Sequence, residues 1–307
     1  MKGGTMLNAE DLQNLQLAGS IAEELLVKTL AQIKPNARIL DICEFADKAI
    51  SKMDERAHPA FPINLSFNSV AAHDTAAPND PRKVPANCVV KADIGVHVNG
   101  WIADTAKTKA LGKGKRASSL IAAAEKALEA AIDVIKPGAK IAQVSEAIGN
   151  EISAAGFRPV KNLTGHTIER YNLHAGISIP NYRRSSVRPS PKLKEGMIVA
   201  IEPFTTIGDG WVVHGSPPKP LIFSLRSTKK KNEDLKPIES RYGQLPFALR
   251  WLKKDEIRLS FKQLKKFENQ RLIHSFPPLK EQSVAVVAQA EDTILVTAHG
   301  SKVTTKA

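Results

Sequence analysis

Two aspartates, Asp93 and Asp104, flank an Asn99-Gly100 dipeptide in the alternating run Lys91-Ala-Asp-Ile-Gly-Val-His-Val-Asn-Gly-Trp-Ile-Ala-Asp-Thr105. Asn-Gly between alternating apolar strands predicts a two-residue hairpin turn, because both central residues must take positive φ. Such a turn pairs Val98 with Trp101 and Gly95 with Asp104. Side chains share a face at period two, so Asp93 and Asp104 become diagonal cross-strand neighbours, with β-carbons somewhat under ~7–8 Å apart. Carboxylates that close repel unless a proton or a cation intervenes. A divalent cation removes the repulsion, and an oxygen-rich set joined by imidazole suits Mn, Fe(II), Co or Zn. The competing reading is two ordinary aspartates on a solvated face, and the hairpin alone leaves it open.

Three further residues have the right chemistry. Gly165-His166 follows a predicted strand. Glu202 closes the apolar run Ile198-Val-Ala-Ile-Glu-Pro203, and Glu291 lies within the predicted strand Ala285 to Val296. A buried carboxylate needs a partner, since a lone buried charge is costly. Singly, each could bond a backbone amide or an arginine. Together they supply Asp, Asp, His, Glu and Glu from separate β segments, enough for two bridged metals that polarise a carbonyl and generate hydroxide near neutral pH.

The elements that must position these residues repeat. Leu12, Leu15, Ile21, Leu25, Leu26 and Leu30 have helical spacing, stopped by Lys34-Pro35-Asn36. A short helix from about Leu40 to Met53 and a strand Phe61 to Phe67 follow. After the hairpin come a helix Ser118 to Ile135, a stop at Lys136-Pro137-Gly138, a helix Ile141 to Ala155 and a strand Phe157 to Leu163. Ile33, Pro35, Ile39 and Ile50 match Ile135, Pro137, Ile141 and Ile152 at one constant offset, and Asn64-Leu-Ser66 answers Asn162-Leu-Thr164. Two similar halves related by a pseudo-twofold are expected, with a cleft at their junction. The basic segment between Pro217-Pro218-Lys-Pro220 and Pro277-Pro278 breaks the pattern. Helices over Arg241 to Leu252 and Leu259 to Leu272 mark it as an insertion. The expected domains are therefore residues 1–216 with 279–307, and the insert 217–278.

Composition narrows the class. The 307 residues are 42% hydrophobic and 24% charged, ordinary values for a folded chain. No apolar run of membrane-spanning length occurs, and the N-terminal residues lack an apolar signal core. Cys43 and Cys88 form neither a disulfide framework nor a thiolate metal motif, which fits a reducing cytoplasm. The net charge of +13 is compatible with attraction to a polyanion such as ribosomal RNA, or simply with solvated lysines. Its densest run, Lys229-Lys-Lys231, falls in a predicted loop.

The same residues resemble a known family. Asp93, Asp104, His166, Glu202 and Glu291, in this order, look like the five metal ligands of the pita-bread metallopeptidases. The hairpin, Asn162-Leu-Thr-Gly-His166, Ile168-Glu-Arg-Tyr171, Leu173-His-Ala-Gly-Ile-Ser-Ile-Pro180, Ala200-Ile-Glu-Pro-Phe204 and Gly243-Gln-Leu-Pro-Phe-Ala-Leu-Arg-Trp-Leu252 resemble the type 2 methionine aminopeptidases of archaea and eukaryotes. The similarity runs over nearly the whole chain. It implies an α+β pita-bread fold: a pseudo-twofold repeat of helices packed on a curved antiparallel sheet, with an inserted helical subdomain. It also implies two divalent metal ions (Co, Mn, Fe(II) or Zn), with Asp93, Asp104, His166, Glu202 and Glu291 as ligands. His73, His174 and Glu202 become the catalytic groups, and Phe61, His73, Leu173, His174 and Phe276 the substrate contacts.

The implied reaction removes an N-terminal methionine from peptides and nascent chains when the second residue is small. It would run in the cytoplasm, off the membrane, in a monomer, with ribosome association left open by the charge. His97, His58, His214, His274 and His299 fall outside the site. Two departures stand out. Where the family carries Phe-Glu-His-Thr, this chain has Ala290-Glu-Asp-Thr293, which removes aromatic packing and is expected to set Asp292 beside the site. Phe276 replaces a frequent tyrosine. The alternatives are an X-Pro peptidase, which usually carries a large N-terminal domain and lacks this insertion, and a non-catalytic RNA- or ribosome-binding homologue, which would have lost ligands.

Overall fold

A computed structural model describes residues 7–112, 114–184, 189–215, 219–227 and 232–306. Leu15, Ile21, Leu25 and Leu26 line the buried face of helix α1 (Ala9–Gln32). Its start is fixed by reciprocal bonds: Asn8 Oδ1 accepts from the Asp11 N–H, and Asp11 accepts from the Asn8 N–H. The helix ends at Ile33, just before Pro35, which has no N–H with which to extend the ladder. Helix α2 (Ile39–Met53) then runs into β1 (Ala57–Phe67) and the short β2 (Val70–Ala72). The hairpin β3 (Cys88–Val98) and β4 (Trp101–Leu111) completes a three-stranded antiparallel sheet in the order β1–β3–β4. Ile21, Leu25, Ile42, Cys43, Ile63, Val90 and Ile94 fill the space between helices and sheet. Burial of such side chains stabilises the fold by about 1.5–3 kcal/mol each.

The second half repeats this plan. Helices α3 (Lys115–Val134) and α4 (Ile141–Ala154) precede β5 (Arg158–Pro159), β6 (Thr164–Ile168), β7 (Ser178–Pro180), β8 (Ile198–Ile201), β9 (Phe204–Thr206) and β10 (Val212–His214). Sequence-equivalent residues occupy equivalent places. Ile33 and Ile135 are the C-caps of α1 and α3, and Ile39 and Ile141 begin α2 and α4. The residues just before those starts, Arg38 and Lys140, each make an isolated antiparallel bridge, to Lys83 and Lys192. Ile50 and Ile152 are both buried. The strand expected over Phe157 to Leu163 is reduced to Arg158–Pro159, because Pro159 has no N–H to give a ladder. Beyond it the Val160 and Lys161 N–H groups bond Phe204 O and Gly210 O outside any regular strand.

The segment before the last strands is more mixed than its sequence suggested. It holds β11 (Ile222–Leu225), α5 (Lys236–Tyr242), β12 (Phe247–Ala248), α6 (Leu249–Lys254), α7 (Phe261–Asn269) and β13 (Ile273–Phe276). The expected helix over Arg241 to Leu252 is interrupted by Gly243, at φ 59, and by Pro246. The one over Leu259 to Leu272 gives way to strand at Ile273. A small antiparallel sheet of order β12–β11–β13 replaces the purely helical picture. Phe223, Ile238, Phe247, Trp251, Leu264 and Phe267 form its own apolar cluster. It docks on the first half through buried Arg250, whose Nε and Nη2 each reach the Asp47 carboxylate at 2.9 Å and whose Nη1 donates to Thr75 Oγ1 at 2.6 Å. Lys229-Lys-Lys231 lies outside the described residues.

The chain closes with β14 (Leu279–Glu281), β15 (Val287–Gln289), β16 (Asp292–Val296) and β17 (Ser301–Val303). These build a five-stranded sheet of order β17–β16–β8–β6–β7 and two three-stranded sheets, β10–β14–β2 and β15–β9–β5. Every strand pair among the described residues is antiparallel, and helices α3 and α4 cover the larger sheet with Leu120, Ala124, Leu128, Val144 and Ile148. The fold is thus α+β, helices over antiparallel sheet in two similar halves. No helix among the described residues is long and apolar enough to cross a membrane.

Candidate metal centre

The hairpin has the register its sequence dictates. Val98 opposes Trp101 and Gly95 opposes Asp104, around Asn99 and Gly100 at φ 50 and 87. Asp93 opposes Ala106, so Asp93 and Asp104 are diagonal neighbours on one face. Gly95 keeps the space between them open: a Cβ there would lie 3.3 Å from Asp104 Oδ1 and 3.1 Å from Phe61, a tight fit. A larger residue would occupy the space in front of the aspartates.

The second half is stitched to β4 along this line. Ala106 and Glu291 exchange both backbone hydrogen bonds, at 3.2 and 2.9 Å. The Thr293 hydroxyl donates to Asp104 O and accepts from the Asp104 N–H, at 2.8 and 2.7 Å. Thr108 repeats that double bond on Gln289, at 2.6 and 2.8 Å. This seam places Glu291 at a break between β15 and β16, not within one strand as the apolar run Ala285 to Val296 suggested. His166 lies inside β6, opposite Ala200, and not after a strand. Glu202 follows β8 directly and is cut off from β9 by Pro203.

The five residues converge. Asp104, His166 and Glu291 offer ligand atoms all within 4.8 Å of one another. His166 Nε2 stands 3.5 Å from Glu202 Oε1. Asp93, Asp104, His166, Glu202 and Glu291 line one cavity of about 200 Å³ with Phe61, His73, Leu173 and His174. Electrostatics match a site built for cations. Burial pushes Asp93 up to about 7. Burial and then the neighbouring acids hold Asp104, Glu202 and Glu291 well above the ordinary carboxylate range. Burial, followed by His174, drives His166 down to about 3, leaving a neutral imidazole with a ligand lone pair. Asp104 Oδ1 is buried without a hydrogen-bond partner among the described residues. A dication would satisfy that oxygen and reverse the carboxylate shifts, so the donor set fits a divalent metal.

Non-ligand groups surround this centre. His73, at φ 65 just after β2, is buried, and burial pushes it down to about 3. His174 reaches about 4 for the same reason, and its ring lies 4.5 Å from His166. Phe276, at the end of β13, stands 5.5 Å from Phe61, 5.6 Å from His73 and 6.3 Å from His174. Phe61, Leu173 and Phe276 belong to one apolar cluster.

Sequence reasoning missed Gln289, whose Nε2 donates to Glu291 Oε2 at 3.1 Å and to Asp93 Oδ2 at 3.5 Å. Its spacing of two from Glu291 was the available signal. It also missed Asn162, which lines the cavity while its amide donates to Val212 O and accepts from the Val212 N–H. Asp292 does set its negative charge beside Glu291, helping to hold that acid up. Its carboxylate accepts from Thr305 Oγ1 at 2.8 Å and lies 3.4 Å from Lys306. Alternation on β16 therefore turns its side chain away from the metal centre. His97 is no ligand: its Nδ1 accepts from the Gly100 N–H at 3.2 Å.

Residues 13–298 match the profile described as Metallopeptidase family M24. A methionine aminopeptidase of Thermococcus onnurineus is 40% identical over 304 residues, covering 96% of this chain and 100% of that protein. The crystal structure of a methionine aminopeptidase from Thermotoga maritima superposes with a TM-score of 0.72 at 22% identity, covering all of both chains. A structure described as a thermophilic Arx1 superposes with a TM-score of 0.85 at 15% identity, over 97% of this chain and 91% of that one. At those identities the solved structures speak for the shared fold.

Proposed function

The chain belongs to metallopeptidase family M24, and on that premise we propose that it removes N-terminal methionine from peptides and nascent proteins whose second residue is small. The observation that carries this reading is one cavity lined by all five acid and imidazole donors together with His73, His174, Phe61 and Leu173. Asp93, Asp104, His166, Glu202 and Glu291 would hold two divalent ions, drawn from Co, Mn, Fe(II) and Zn. Bound there, such ions supply a polarised scissile carbonyl and water acidic enough to ionise near neutral pH.

The remaining work falls to the chain itself. Phe61, Leu173 and Phe276 receive the methionine side chain on apolar and aromatic surface. His174 hydrogen-bonds the substrate carbonyl oxygen as negative charge develops there. His73 orients the amide that follows. Burial keeps both imidazoles neutral at physiological pH, so each can donate one hydrogen bond and accept another. Glu202 takes the proton of the attacking water and returns it to the leaving amine. Residues 217–278 act as an inserted subdomain, and Phe276 is its contribution to the pocket. We place the activity in a cytoplasmic monomer, with the basic surface available to the ribosome.

Retention of all five donors favours catalysis over a purely binding homologue. The β11–β13 insertion, with Phe276 in the pocket, favours methionyl over X-Pro substrates. Apo-protein titrated with Fe(II), Mn(II), Co(II) and Zn(II) should hydrolyse Met-Ala-Ser and leave Ala-Pro intact, and His166→Ala should lose most of that turnover. Near-normal turnover in His166→Ala, or no hydrolysis with any of the metals, overturns the proposal.

A further inference from the structure

The loop between β6 and β7, residues 169–176, carries both Leu173 and His174, yet few of its bonds are its own. Glu169 and Asn172 exchange backbone hydrogen bonds, and the Ala175 N–H reaches Thr167 O at 2.8 Å. Its outer end is held by the opposite half. The Tyr171 N–H donates to Gly100 O at 2.9 Å, and Arg170 Nε donates to Asn99 O at 2.9 Å. The Tyr171 ring fills the space that a side chain at residue 100 would need: a Cβ there would sit 2.3 Å from the nearest ring carbon. The Arg170 guanidinium lies 5.6 Å from the ring centre on one side, and the His97 ring stands edge-on at 5.5 Å.

The gripped turn is itself firm. The Gly100 N–H bonds His97 Nδ1, and Trp101 Nε1 donates to Asp11 Oδ1 at 2.9 Å, which ties the hairpin tip to α1. Tyr171 holds a left-handed backbone at φ 56, uncommon for a residue with a side chain. It remains 50% exposed, so core packing does not account for its placement. Only Asn172 separates it from Leu173. A shift of the clamp must therefore pass directly to Leu173 and His174.

We propose that Tyr171 is a positioning residue. With Arg170 it latches the His174 loop of the second half onto the Asn99-Gly100 turn of the first, and so sets the distance of His174 from the substrate carbonyl. It touches no reacting atom and acts through His174, so the inference rests on the peptidase reading above.

The test compares wild type, Tyr171→Ala and Tyr171→Phe, each loaded with Mn(II), on Met-Ala-Ser. Misplacement of a polar catalytic contact predicts that Tyr171→Ala loses roughly ten- to a hundredfold in kcat. Mn(II) stoichiometry by calorimetry should stay unchanged, because no proposed ligand lies on this loop. Any loss of affinity should be smaller than the loss of kcat, since His166 meets the loop only at Leu173 and His174. Amide exchange across residues 169–176 should accelerate, and Tyr171→Phe, which keeps the ring, should restore both rate and protection. Wild-type kcat in Tyr171→Ala overturns the latch, as does a loss of kcat matched by equal losses of Mn(II) binding and melting temperature. An inactive wild type would sink the peptidase reading instead. The exchange comparison would then decide the latch by itself, unchanged protection overturning it.

Discussion

The two halves share a plan and deliver their candidate ligands by different means. In the first, Asp93 and Asp104 ride one hairpin whose pairing is unbroken from Cys88 and Leu111 to the turn. Their spacing is set by the period of the strand and by a two-residue turn. In the second, only His166 sits within a strand. Glu202 and Glu291 occupy strand ends, and Glu291 is fixed by its backbone exchange with Ala106 of the other half. Local pairing suffices to bring Asp93 and Asp104 together, whereas the other three donors join them as a set only once the halves have docked. Glu202, the acid proposed for proton transfer, lies on the less regular side, where backbone geometry is not bound to a ladder.

That contrast can be broken first at the acids themselves. Glu202→Gln keeps the shape but removes the proton acceptor as well as a ligand charge, so kcat on Met-Ala-Ser should fall by about 10²- to 10⁴-fold even at saturating Mn(II). Asp93→Asn removes a ligand from the regular half and should respond differently, with excess Mn(II) restoring part of its rate. Metal rescue of Glu202→Gln to wild-type turnover would erase the functional difference between the halves.

A second comparison uses the duplicated core. Ile50 and Ile152 occupy equivalent positions in α2 and α4 and are 4% and 0% exposed. Truncation to alanine should cost about 2–5 kcal/mol at either site, read by urea denaturation. Costs that differ by more than that whole range would show that sequence equivalence does not carry over to packing.

The smallest effect is a pH slope. In metal-free protein the four carboxylates sit above their unfolded pKa values, Asp93 at about 7. The folded state therefore binds the extra protons, and its stability falls as pH rises through those folded values. His73, His166 and His174, pushed down to about 3, about 3 and about 4, act in the opposite sense. Their contribution is complete once pH passes the unfolded value of ~6.5. Above that point the carboxylates still lower stability as pH rises, while buried Lys91, pushed down to about 7, acts against them. The four acids outnumber it, so the melting temperature of the metal-free protein should decline toward pH 8. Saturating Mn(II) should flatten the decline; an equal decline with Mn(II) would detach these acids from metal binding.

What could be read from the chain follows the same division. The hairpin register, the stops at Pro35 and Pro137 and the duplicated Ile39 and Ile141 obey local rules, so the residue pattern was enough to find them. Gln289 escaped notice because its partners, Asp93 and Glu291, meet only across the seam. The β12–β11–β13 sheet was hidden because each short strand is stabilised by neighbours distant in sequence. Asp292 was legible as a negative charge beside Glu291, but its own partners, Thr305 and Lys306, lie at the far end of the chain and were not. Glu202, by contrast, was legible from the apolar run before it and the proline after it.

Asn162 has a consequence beyond the cavity it lines. Strand β10 is the outer member of its sheet, and on its unpaired side the amide and carbonyl of buried Val212 need partners from outside the sheet. The Asn162 carboxamide occupies both such groups of Val212, imitating one residue of a further strand. The side chain that lines the cavity thus also completes the pairing of β10, and removing it would leave two backbone groups of a buried residue without partners, a cost to stability as well as to the cavity wall.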